Sequence, residues 1–170
     1  LLSPLIILSW LLENLKVNWF MTELDQCSLA ISESESIPDR FVQILVIAED
    51  HRNDIHPGID PIAILRAVYV RITTGAVQGA STIEQQFVRV VSGRYELTLR
   101  RKVREQLLAL SVARQNSKFA IATAYLNIAF YGTAHVSFDD LIKKHRVLLN
   151  DVDDRAIIRI VARLKYPEPI

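Results

Sequence analysis

Glycine is scarce in this chain: five occur among 170 residues, and no two are separated by a single position. That excludes the Gly-x-Gly turns of a dinucleotide site and the glycine-rich loop of a nucleotide-phosphate cradle. Cysteine is scarcer still, since Cys27 stands alone. It forms no internal disulfide and builds no cysteine-rich metal site. Charge of either sign is not in excess: 20 Lys and Arg face 19 Asp and Glu, for a net charge of +1. A chain so balanced carries no overall basic field for nucleic acid. Nor does it contain a long apolar run. Leu1 to Leu12 is uncharged, but as a helix it rises only about 18 Å, against roughly 30 Å of hydrocarbon. No Lys or Arg precedes it, which is a poor fit to a signal peptide.

What is present is apolar and helical. Half of the residues are hydrophobic and the mean hydropathy is +0.19, which excludes a disordered chain and suits one domain with a real core. Residues 1–20 are read as a membrane-associated segment. Residues 1–12 would be the tail of a spanning helix that begins upstream, or else a buried or interfacial apolar helix. Residues 21–36 are polar and read as a linker. Residues 37–170 are read as the folded domain, mostly α. Pro38 opens a segment 39–48 that is apolar almost all round, which belongs in a core or against another hydrophobic phase. Asp60-Pro61 reads as a helix cap, with Leu65, Val68, Tyr69 and Ile72 as the stripe that follows. Ser81-Thr82-Ile83-Glu84 has the spacing of a capping box. Thr98 and Ser117 open two more helices, and weaker helical segments follow at 138–149 and 153–164.

Three stretches carry chemical promise. Glu49 and Asp50 end the apolar helix, where burial and the negative end of the helix dipole both raise a carboxyl pKa, as a general base near neutrality requires. Residues 79–86 join a tight turn to a helix start, whose free amides suit an anion. In the run Arg100–Glu105, a helical wheel puts Lys102 and Glu105 beside the apolar stripe and sends Arg100, Arg101 and Arg104 toward solvent. Each also reads as ordinary structure: a polar helix end, a capped helix, a solvated charged face. His51 and His56 lack the His-x-x-x-His spacing of a zinc helix, and no metal site is expected from them.

Together these stretches resemble the family 51 glycosyltransferase domain of peptidoglycan synthases, found in penicillin-binding proteins and monofunctional transglycosylases. The family's Glu-Asp-x-x-Phe-x-x-His-x-Gly is matched by Glu49 to Gly58, and its Gly-(Gly or Ala)-Ser-Thr-Ile-x-Gln-Gln by Gly79 to Gln86. Its Arg-Lys-x-x-Glu is matched by Arg101 to Glu105, and its Lys-x-x-Ile-x-x-x-Tyr-Leu-Asn by Lys118 to Asn127. The resemblance implies a lysozyme-like helical domain with a smaller membrane-facing lobe built from residues before and around the Gly79 turn. It implies polymerisation of lipid II onto a nascent glycan strand through β-1,4 bonds, with inversion and release of undecaprenyl pyrophosphate. It places the work at the outer, periplasmic face of the bacterial inner membrane, beside other cell-wall synthesis proteins. By position Glu49 is the base, and Glu105 helps hold donor groups or a divalent cation, Mg or Mn. Arg66, Arg89 and Lys102 contact phosphates, and Ser81, Gln85 and Gln86 shape the pocket.

The sequence departs from the pattern in places. Asn53 replaces the family's Phe, Glu84 its Thr or Ser, and Leu97 an Arg. Because both carboxylates are retained, a divergent enzyme is favoured. The other readings are a non-catalytic membrane-side binding or scaffold module and a lytic, lysozyme-like glycan cleaver. Nucleic-acid binding is disfavoured by the charge balance.

Overall fold

The computed structural model describes residues 3–132, 138, 142 and 153–166. These residues form α-helices with one short 3₁₀ turn and no strand element. The helices are α1 (Ser3–Asn14), α2 (Asn18–Ser32), α3 (Asp39–Glu49), α4 (Pro61–Thr74), α5 (Ile83–Ser92), α6 (Leu99–Gln115), α7 (Lys118–Ile128) and α8 (Asp154–Lys165). The chain is mostly α, as its patterning predicts. Of the weaker segments, 153–164 is α8, whereas 138–149 lies outside the described residues apart from Phe138 and Ile142.

Helix α5 is the centre of the packing and touches α2, α6 and α7. Its inward face carries Ile83, Phe87 and Val88, all at most 1% exposed, and full burial of such side chains contributes about 1.5–3 kcal/mol each. Phe41 and Leu45 of α3, Leu108 and Val112 of α6, and Ile121 and Leu126 of α7 complete the core.

One expectation fails here. Residues 21–36 are not a linker: α2 runs through them to Ser32, with Phe20, Leu24 and Cys27 buried in the core. Burial pushes the Cys27 thiol up to about 12, so it remains an unreactive packing group. The apolar stripe of α4 faces outward. Leu65, Val68, Tyr69 and Ile72 are 51–78% exposed, and Ala63 is the helix's one buried residue. Of α1, Ser9 is buried against α6, where its hydroxyl accepts a 2.8 Å bond from Arg114. Its Ile7, Leu8, Trp10 and Leu11 are 39–58% exposed. No helix among the described residues is long and apolar enough to cross a membrane.

The turn between α3 and α4 is tightly determined. Asp60 caps α4, accepting from Ile62 N (2.9 Å) and Ala63 N (3.2 Å), and takes a 2.8 Å bond from Arg52 Nε. Gly58 has φ +109°, and a Cβ there would lie 2.6 Å from the Ala109 carbonyl oxygen and 3.0 Å from Ala113 Cβ. Backbone strain and overpacking then act together, so Gly58→Ala is expected to cost about 2–4 kcal/mol. Urea denaturation measures this; a loss below about 0.5 kcal/mol contradicts the close approach.

Candidate active site

The site is built on the N-terminal half of α5. Its first turn is closed by a capping box one residue later than the sequence spacing suggests. Thr82 is the cap, Gln85 N donates to its hydroxyl (3.3 Å), and Gln85 Oε1 accepts from Thr82 N (3.1 Å). The Thr82 hydroxyl donates in turn to Gly58 O at 2.7 Å. Gln85 is fully buried and holds the turn rather than facing a groove. Shifting the cap to Thr82 frees Ser81, whose Oγ accepts from Lys102 Nζ (3.0 Å) and Arg89 Nη2 (3.3 Å).

Glu105 lies at the middle of a cationic cluster. Its carboxylate, 3% exposed, accepts from Arg89 Nε at 3.0 Å, from Lys102 Nζ at 2.6 Å and from Arg101. Arg101 therefore does not point to solvent. The wheel considers α6 alone, but the loop ahead of α6 folds back so that Arg101 also donates to the Glu96 carbonyl. Arg104 is likewise drawn in by α2: it pairs with Glu23 at 2.6 Å and stacks 3.9 Å from the Trp19 ring centroid. Arg100 alone of the three is exposed with no described partner. Burial pushes the Glu105 carboxyl up, but the bonds from Arg89 and Lys102 outweigh it and hold the group below the usual carboxylate range. Burial also lowers the Lys102 ammonium, against the opposing bond to Glu105.

Glu49, the last residue of α3, is half-buried rather than sealed from water; the buried carboxylates among the described residues are Glu23, its neighbour Asp50, Asp60, Glu84 and Glu105. Gln86 Nε2 donates to Glu49 Oε2 at 3.3 Å, and Tyr125 O–H donates to Gln86 Oε1 at 2.7 Å. Burial keeps the Tyr125 phenol protonated by pushing its pKa up. The phenol thus fixes which way the Gln86 amide points, and the amide steers Glu49. Gln86 and Arg89 lie one turn apart on α5, so one helix holds both acidic residues, Glu49 through the first and Glu105 through the second. A hollow of about 400 Å³ opens beside Glu49 between α3 and α8, walled by Ile44, Ile47, Ile158 and Val161; Glu105 does not line it. Arg66 stands apart, exposed on α4 with no bond to any described residue.

Beneath the site is a buried polar knot that the sequence reading did not assign. Asp50 accepts from Ile83 N at 3.1 Å, from Asn53 Nδ2 at 3.2 Å and from His56 Nε2 at 3.0 Å. His56 Nδ1 accepts from Gly58 N at 3.2 Å, which leaves the ring proton on Nε2, pointing at Asp50. Asn53, which stands in place of an aromatic residue, is thus a donor to Asp50. Asp50 ties the end of α3 to the start of α5, and so fixes Glu49 relative to Gln86. Lys118 pairs with the buried Glu84 and lies 3.4 Å from His56 Nδ1. Burial raises the Asp50 carboxyl, but its hydrogen bonds prevail and lower it.

Neither acidic group suits the divalent cation expected by resemblance. Glu105 already accepts from three cations. Asp50, His56 and Glu84 offer ligand atoms within 4.8 Å of one another, but the Lys118 ammonium stands among them.

Because the Asp50 and Glu105 pKa values are both lowered on folding, their stabilisation is present above the unfolded carboxylate range and lost as pH falls through it, below about pH 4. The melting temperature is therefore expected to drop steeply as the pH falls below about 4. Asp50→Asn and Glu105→Gln should each flatten that drop; an unchanged profile in both contradicts the assignment.

A sequence model described as Transglycosylase matches residues 18–145 of this chain, starting at α2. The chain belongs to the Transglycosylase family. Penicillin-binding protein 1A of Haemophilus influenzae is 41% identical over 97 residues, which is 56% of this chain and 11% of that protein. Penicillin-binding protein 1A of Escherichia coli is 39% identical over 99 residues, 58% of this chain and 12% of the relative. Penicillin-binding protein 1B of Vibrio cholerae is 37% identical over 99 residues, covering 58% and 13%. The chain thus spans 11–13% of the length of these relatives. Membership gives α2 a clear status, since the matched region takes in the helix that the polar composition of 21–36 disguised.

Proposed function

We propose that this Transglycosylase domain is a peptidoglycan glycosyltransferase that polymerises lipid II into β-1,4 glycan strands and releases undecaprenyl pyrophosphate. Glu49 takes the proton from the acceptor 4-OH as that oxygen attacks C1 of the donor sugar, and the pyrophosphate leaves from the opposite face, which inverts C1. A positioned base of this kind contributes roughly 10²–10⁴-fold. Gln86, oriented by Tyr125, aims Glu49 at the hydroxyl.

The observation that carries this reading is that α5 joins a half-buried carboxylate to a cluster in which three cations surround one carboxylate. The surplus positive charge of that cluster, with Ser81 at its edge, suits a departing pyrophosphate, because charge-assisted bonds to phosphate are strong. A lytic cleaver needs no such cluster, so the polymerase is favoured over that alternative. No divalent ion enters the scheme, since the residues present supply the positive charge.

The membrane is the expected setting, at the periplasmic face of the inner membrane. Support comes from α4 and the following turn, where Ile62, Leu65, Val68, Tyr69, Ile72 and Val77 are 51–86% exposed, a continuous apolar face of the kind that marks an interaction surface. The test is glycan polymer formation from lipid II in detergent, followed on gels. Polymer is expected from the parent chain, with losses of at least about tenfold in Glu105→Gln and Lys102→Ala. A parent chain inactive across detergents and divalent salts contradicts the proposal and leaves the binding-module reading.

A further inference from the structure

A second basic feature lies on the other side of α6 from Lys102. The loop joining α5 to α6 and the first turns of α6 enclose a hollow of about 420 Å³, lined by Arg94, Glu96, Thr98, Arg100, Arg101 and Arg104. Three of its four arginines have carboxylate partners: Arg94 and Arg104 share Glu23, and Arg101 pairs with Glu105. Arg100 has none among the described residues. Even with Glu96 counted, whose carboxylate is 3.9 Å from Arg94, the arginines outnumber the acids around the hollow. Thr98 caps α6 through Arg101 N, so the positive end of the helix dipole adds to the same field. The rim of this loop is apolar and unprotected: Tyr95 is 63% exposed, Leu97 99% and Leu99 80%.

Arginines in a cavity with leucines projecting beside it make a composite surface. The guanidinium groups suit a phosphodiester, which they meet with paired N–H donors, and the leucines suit the acyl region just below a headgroup. We infer that the hollow between the α5–α6 loop and α6 is a binding site for the phosphodiester headgroup of an anionic membrane lipid, seated with Leu97 and Leu99 inserted beside it. The hollow touches the Glu105 cluster only through Arg101, while Arg94 and Arg100 lie outside that cluster; what it would do is set the depth and tilt of α6 at the bilayer surface. It goes beyond the proposed polymerase activity and does not depend on it.

The test is flotation of the full chain with phosphatidylcholine vesicles, alone or with about a third phosphatidylglycerol, where each interfacial arginine is expected to contribute about fivefold in partition. Arg100→Gln should weaken partition into the anionic vesicles about fivefold, and Arg94→Gln/Arg100→Gln by about 20-fold. Partition into pure phosphatidylcholine should stay unchanged, because the apolar faces of α1 and α4 are intact. Raising salt should erase the difference between variants. Arg100 is exposed and has no partner among the described residues, so its variant keeps the fold, which circular dichroism verifies. Arg159→Gln, an exposed arginine of α8 outside the hollow, should bind like the parent. An equal loss in Arg159→Gln, or partition indifferent to phosphatidylglycerol, overturns the inference. So does saturable binding of inorganic pyrophosphate at the hollow with no effect of anionic vesicles. The readout uses no lipid II, so failure of polymerisation leaves this result standing on its own.

Discussion

Glu49→Gln is expected to reduce glycan polymerisation by at least about 100-fold while changing the unfolding free energy by less than about 0.5 kcal/mol, because a general base is lost and little packing is disturbed. Glutamine keeps the volume and an acceptor oxygen for the Gln86 amide, which bonds Glu49 at 3.3 Å. What it loses is the capacity to take a proton. Asp50 gives the opposite pattern. Its carboxylate is 7% exposed and accepts from His56, Asn53 and the first amide of α5, so Asp50→Asn should cost both stability and activity. The pair of variants separates a residue that reacts from one that positions it. If Glu49→Gln polymerises at the parent rate, the base is elsewhere.

Lys118→Met is the second large effect, and it is one of stability. Glu84 is 1% exposed, one of its oxygens is paired with Lys118, and the other has no partner among the described residues. Removing the ammonium leaves a sealed carboxylate without its counter-charge, for which a loss of about 3 kcal/mol is expected. Glu84→Thr, which restores the family's usual residue, should cost under about 1 kcal/mol, since Lys118 keeps 27% of its side-chain surface in solvent and can turn outward. The double variant Glu84→Thr/Lys118→Met should regain most of the loss, because a buried pair replaced whole is often nearly neutral. Urea denaturation of the four proteins completes the cycle. A Lys118→Met protein as stable as its parent contradicts the pairing.

The helices with sharp caps were legible in the sequence. Asp60-Pro61, Thr98 and Ser117 each mark a start through a side chain that accepts from the first turn, and the structure places α4, α6 and α7 where those residues predict. Helix α2 was hidden by its polar positions, although Phe20, Leu24 and Cys27 recur at four- and three-residue spacing along one face. The wheel for α6 failed at Arg101 and Arg104 for a related reason: it cannot know that Glu23 of α2 and the Glu96 carbonyl would approach from outside. Tyr125 shares a helix face with Ile121 and Ile128, and nothing local shows that its hydroxyl reaches Gln86, 39 positions earlier. The Lys118–Glu84 pair is similar. Glu84 is visible as an unusual residue, but only folding shows that its charge is met.

The measurement that bears most directly on the central claim is a paired incubation of this chain with lipid II and, separately, with finished glycan strands. A polymer that grows from lipid II, is cut by lysozyme and appears together with undecaprenyl pyrophosphate is the predicted result, with the finished strands left at their starting length. Shortening of those strands without growth from lipid II would contradict the account, because Glu49 would then be serving cleavage rather than synthesis.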